Sequence, residues 1–105
     1  MDALAVSLSG MNAAALGVAV AANNVANANT PGFRARSLTQ EEAPAGGVEL
    51  AALEASPATA EPGGSNVDLA SEFVSLDTQS LAYEANLKAF KTQDELLGTA
   101  LDLKA

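Results

Sequence analysis

The sequence predicts an all-α protein: two long antiparallel terminal helices, coiled-coil-like, joined by an extended loop or a small β-hairpin. Three observations lead there. The last forty residues keep an apolar stripe in alternating steps of four and three: Leu69, Phe73, Leu76, Ser80, Tyr83, Leu87, Phe90, Asp94, Leu97 and Leu101. The opening residues repeat the pattern with Leu4, Leu8, Met11, Ala15, Val18, Ala22 and Val25. Such steps hold a side chain on one helix face turn after turn. Between the two stripes the period dissolves into Pro, Gly, Ala and Glu.

The first helix is expected over residues 2–28, because Ala, the best helix former, dominates it and the stripe supplies its period. Gly10 and Gly17 each weaken it by about 1 kcal/mol relative to Ala. Close approach of another backbone accounts for them, and so does simple tolerance inside a buried helix. The helix should stop near Asn29, since Thr30-Pro31-Gly32-Phe33 places Pro where a turn fixes φ and Gly where a type II turn needs positive φ.

Phe33–Leu38 and Val48-Glu49-Leu50 are candidate extended pieces, and Pro44-Ala45-Gly46-Gly47 supplies a turn that permits a hairpin between them. Residues 54–64 are rich in Ala, Pro, Glu, Ser and Thr and are expected to be loop. The second helix follows Gly63-Gly64, with Asn66 or Asp68 as its cap. The stripe carries it to Leu101 or Leu103, about 50 Å at 1.5 Å per residue. The divisions are thus 1–36, N-terminal helix and Asn-rich turn; 37–64, loop or hairpin; and 65–105, C-terminal heptad helix, all in one structural domain.

Composition excludes much chemistry. The chain of 105 residues has no Cys and no His, so disulfides, thiol nucleophiles and imidazole catalysis are ruled out. Net charge is −8 with only five basic residues, which repels phosphate backbones and speaks against nucleic acid. Residues 3–33 carry no charged side chain. Ala13–Ala22 resembles a secretory h-region and Ala26-Asn27-Ala28 a small-residue cleavage site, but Asp2 gives the flank the wrong sign. Ser7, Ser9, Asn12, Asn23, Asn24, Asn27 and Asn29 interrupt the stretch as a membrane span, so no membrane insertion is expected. Glu41-Glu42 and Asp94-Glu95 are adjacent carboxylates that suit a solvated face better than an acid–base site. No phosphate loop or metal-ligand cluster is visible, so no cofactor, metal, catalytic residue or small-molecule substrate is expected.

The seam residues expected to carry function by packing are Leu4, Leu8, Met11, Val18, Val25, Leu69, Phe73, Leu76, Tyr83, Leu87, Phe90, Leu97 and Leu101. Helices with so few large apolar residues, one of them uncharged on every face, need neighbours to be stable. Asn23, Asn24, Asn27 and Asn29 admit two readings, bonds between subunits or capping of the helix end. Ser80 and Asp94 either set register or drift to the solvent edge.

Ala21–Phe33 reads AANNVANANTPGF, with a turn motif at Asn29, Thr30, Pro31, Gly32 and Phe33. Ser65–Leu103 contains Asn66-Val67-Asp68-Leu69, Tyr83-Glu84-Ala85-Asn86 and Thr92…Asp94-Glu95…Leu97. These segments resemble the two terminal signatures of the bacterial flagellar axial proteins, the rod and hook family. The short middle resembles the small proximal-rod type. The resemblance implies a non-enzymatic structural subunit of the basal-body rod, packed by its terminal helices into a helical axial filament that serves motility. It also implies partnership with itself, with other rod and hook proteins, and with the flagellar type III export apparatus, without a cleaved signal peptide. The alternatives are a small helical-hairpin protein-binding module, or a hook-type axial protein lacking its outer domain.

Overall fold

The computed structural model describes residues 2–57 and 62–104. Helix α1 spans Ala3–Ala26. Asp2 caps it, its Oδ1 accepting the Ala5 N–H at 2.8 Å, which satisfies one of the orphan donors of the first turn. At the other end the Asn27 amide group donates to the Asn23 carbonyl at 2.9 Å, and the Thr30 hydroxyl donates to Asn27 Oδ1 at 3.0 Å. Those side-chain bonds compete with a further helical turn, so α1 ends two residues before the expected boundary. The chain then reverses at Thr30–Phe33. The Phe33 N–H donates to the Thr30 carbonyl at 3.1 Å, and Gly32 has φ of 75°, the geometry a type II turn asks of its third residue.

Strands β1 (Arg36–Glu42) and β2 (Val48–Ala55) pair antiparallel. Their connection closes with the Ala43 N–H donating to the Gly47 carbonyl, and Gly46 and Gly47 take φ of 93° and 86°. Thr39 faces Ala52 and Gln40 faces Leu50, so Ala51 is an extra residue and makes a bulge. The all-α expectation is therefore overturned: the middle of the chain is a two-stranded sheet. Two features defeat the compositional reading. Glycines that accept positive φ close the turn, and α1 offers a surface to pair upon. The Gln40 side-chain amide donates to the Ala13 carbonyl at 2.8 Å, and the Val48 N–H donates to Ser9 Oγ at 3.1 Å. These bonds seat the hairpin on α1, and pairing with Arg36–Thr39 of β1 draws the Ala-rich run 51–55 into a strand against its propensity. The loop expected over 54–64 begins later as a result, and its residues 58–61 lie outside the described residues.

Helix α2 spans Leu69–Lys104. Asp68 is its cap, with Oδ1 accepting from the Ala70 and Ser71 N–H groups. Asn66, the other candidate, instead accepts the Ala35 N–H at 2.6 Å and so ties the helix entry to the chain entering β1. The two helices run antiparallel, as the Asn24–Glu72 and Ser7–Gln93 bonds require. Helix α1 touches every other element, while the hairpin and α2 each lie along it without meeting as elements. The result is a flat slat of 67 × 25 × 14 Å. Its interior is thin. Among the described residues the buried apolar side chains are Ala14 and Ala21, and the most enclosed side chain is polar, Asn24 at 1% exposure.

Candidate assembly surface

The line along which α1 meets α2 is made of small and polar residues. On α1 the buried positions are Ser7, Ala14, Gly17, Ala21 and Asn24, with half-buried Gly10 in sequence between them. These alternate by three and four, as a seam should, but the line sits one residue before the expected apolar one. Helix α2 answers with Glu72, Gln79, Asn86 and Gln93, spaced by seven and all half-buried. Asn24 donates to Glu72 Oε1 at 3.0 Å, and the Ser7 hydroxyl donates to Gln93 Oε1 at 2.9 Å. Between these outer rungs the glycines take up the amides. A Cβ at Gly17 would lie 2.6 Å from Gln79 Cδ, and one at Gly10 would lie 2.5 Å from Asn86 Oδ1. Real side chains do not approach so closely; what comes near each glycine is a side-chain amide of α2, not the other backbone that the spacing suggested.

The large apolar residues stand beside that line or away from it. Leu4, Met11, Val18, Val25, Leu76, Leu87 and Phe90 are half-buried. Leu8, Leu69, Phe73, Tyr83, Leu97 and Leu101 are exposed, as are Val6, Val74, Leu81, Leu96 and Leu103. The ridges of the two helices run side by side. Val18 and Tyr83 line one groove with Ala15, Ser80 and Glu84, and Leu4 and Leu97 line another with Ala3, Gln93 and Leu96. Ser80 and Asp94 are at the solvent edge. A chain that leaves this much Leu, Phe and Val facing outward presents apolar surface far beyond scattered single residues.

The Asn-rich turn is a structural knot. Asn24 Oδ1 accepts the Arg36 N–H at 2.9 Å, and its amide donates to the Arg36 carbonyl at 2.8 Å as well as to Glu72. One side chain thereby joins α1, β1 and α2. Nearby, the Gly32 N–H donates to the Gly64 carbonyl, the Asn66 N–H to the Phe33 carbonyl, and the Ser65 hydroxyl to the Ala28 carbonyl. Asn29, Thr30, Pro31 and Gly32 are exposed, with Phe33 half-buried. Sequence reasoning missed the polar rungs, although their signal was present: Gly10 and Gly17 are seven apart, as are Glu72, Gln79, Asn86 and Gln93.

Helix α1 is also long and apolar enough to cross a membrane by length and composition, with a mean hydropathy of 1.7 over its most apolar window. Here it lies between α2 and the hairpin, with Ser7 and Asn24 hydrogen-bonded to them.

The chain is thus two antiparallel terminal helices around a short β insertion, with apolar ridges turned out. Comparison with protein families bears directly on this. Residues 4–34, which hold α1 and its turn, match the family described as flagella basal body rod protein. Residues 63–103, which hold α2 and its lead-in, match the family described as flagellar basal body rod FlgEFG protein C-terminal. With both ends matched in order, the chain belongs to the flagellar rod and hook axial protein family, a structural component of the basal-body rod. No curated protein matches the sequence. The hairpin, 36–55, falls outside both matches.

Proposed function

We propose that this protein is a proximal-rod type subunit that polymerises with copies of itself and with other axial proteins into the helical wall of the rod. One observation carries the reading: nearly every large apolar side chain of the two helices is exposed or half-exposed, while the intrachain contact uses Ala, Gly and polar groups. Burial of those ridges by neighbouring subunits supplies the hydrophobic free energy that the isolated chain lacks. The functional residues are accordingly the ridge set, Leu4, Leu8, Met11, Val18, Val25, Leu69, Phe73, Leu76, Tyr83, Leu87, Phe90, Leu97 and Leu101, with the turn Asn29–Phe33 joining the elements. Folding is coupled to docking, which suits a subunit delivered unfolded through the flagellar export apparatus without loss of a signal peptide.

The test is assembly. Leu8→Asp and Leu87→Asp should prevent incorporation into purified basal bodies while expression continues, because a charge would be buried without a partner. Normal incorporation of either variant would overturn the proposal. Dilute protein should show weak helicity that rises with concentration. A concentration-independent helical monomer would instead indicate a stand-alone binding module.

A further inference from the structure

We propose that the polar stripe of α2, through Gln79 and Asn86 set against Gly17 and Gly10, selects the chain's own α1 as the partner of α2 and so keeps the apolar ridges facing out. The molecule contains two kinds of helix surface that could compete for α2: the greasy ridges of sister molecules and the small-residue line of α1. Four polar side chains seven residues apart bias that choice. Against another molecule's Leu and Val, the amides of Gln79 and Asn86 would lose water without gaining any new hydrogen bond in exchange, a penalty on the wrong pairing. Against α1 they enter places where no Cβ stands, half-buried beside Gly17 and Gly10 with part of their surface still open to water. The bond from Asn86 Nδ2 to the Ala82 carbonyl at 2.8 Å lies within α2 and holds the amide in place with any partner. The outer rungs, Ser7 to Gln93 and Asn24 to Glu72, convert polar contact into directed hydrogen bonds.

The glycines and amides do different work from Asn24. A slip of α2 by one heptad would still set Gly10 and Gly17 opposite polar residues of the stripe, so those residues fix which faces meet. Asn24, tied to the Arg36 backbone as well as to Glu72, fixes the axial position. Gln79 and Asn86 are positioning residues: they choose the face, and the ridges act. That the ridges then meet other subunits rests on the assembly reading above; the choice of α1 by α2 does not.

The chain lacks Cys, so a reporter pair can be placed cleanly. Ala3 and Leu96 line one groove and lie outside the stripe. Full-length Ala3→Cys/Leu96→Cys protein, mixed as unlabelled and isotope-labelled chains, is treated with a short bismaleimide and weighed by mass spectrometry. Intrachain products should exceed mixed-isotope products at least tenfold. Adding the near-isosteric pair Gln79→Met and Asn86→Leu, which removes polarity and keeps size, should shift that ratio at least tenfold toward interchain products. Gly10→Ala with Gly17→Ala should shift it the same way while raising helix propensity, so loss of the helix cannot account for the result. A ratio unchanged within twofold in either background overturns the proposal. Sedimentation of the parent protein reports self-association separately, so failure of the assembly reading would show there and not in the cross-linking ratio.

Discussion

At the scale of single residues, Asn24 ties three elements together through its bonds to Arg36 and Glu72. Replacing it with Ala would remove its part-buried hydrogen bonds to the Arg36 N–H, the Arg36 carbonyl and Glu72, each with a net worth of about 0.5–1.5 kcal/mol. Asn24→Ala should therefore lower stability by about 2 kcal/mol and speed hydrogen exchange at the Arg36 amide, read by NMR on the assembled or concentrated protein. The glycines make a second, signed comparison. Gly32 has φ of 75° with open space where a Cβ would go, so Gly32→Ala should cost about 1 kcal/mol by backbone conformation alone. Gly98 also faces open space but lies within α2, and Gly98→Ala should stabilise by about 1 kcal/mol. Thermal melts of the two variants should move in opposite directions. The sequence exposed the turn at Thr30–Phe33 because Pro and Gly have few other uses in that order. It could not assign the asparagines, since an amide that caps a helix and one that grips a neighbouring strand look alike in the sequence. Asn27 does the first and Asn24 the second.

At the scale of elements, α2 depends on its cap. Asp68 accepts from two first-turn N–H groups, so Asp68→Ala should cost about 1 kcal/mol and fray the helix start, visible as lost ellipticity and faster exchange at Ala70 and Ser71. Both helices were legible from period, because steps of three and four fit no other backbone. Which face turns inward was not legible. Residues 72, 79, 86 and 93 obey the same spacing as the louder apolar stripe beside them, and a period alone carries no information about phase. The hairpin was half legible. Its turn announced itself through Pro44 and two glycines, but the strand at Ala51–Ala55 consists of helix formers. It exists because Thr39, Leu38 and Ser37 pair with it, and local composition holds no trace of a partner 13 to 17 residues away. The seam set remains a proposal about assembly: within one chain its members flank the helix contact, and none of them forms its centre.

At the scale of the whole molecule, the radius of gyration is 18.0 Å, where a compact domain of about 100 residues has about 13 Å. Extension of this kind spends chain on surface, and much of that surface is Leu, Phe and Val. Association should therefore respond to salt as a hydrophobic process between acidic bodies. Sulfate strengthens apolar burial and screens the net charge of −8, so it should lower the concentration at which light scattering rises. Dispersal by sulfate would mean that ionic contacts dominate. One last feature sets a direction. The rung at Gln93 lies near the beginning of α1, and Leu96 and Leu97 still share a groove with Ala3 and Leu4. Residues 98–103 of α2 follow beyond that groove, exposed throughout. A plank with a tongue at one end is not the same when reversed. Any array that seats this tongue in the next plank acquires two unlike termini, one offering tongues and the other offering sockets, and can lengthen differently at each.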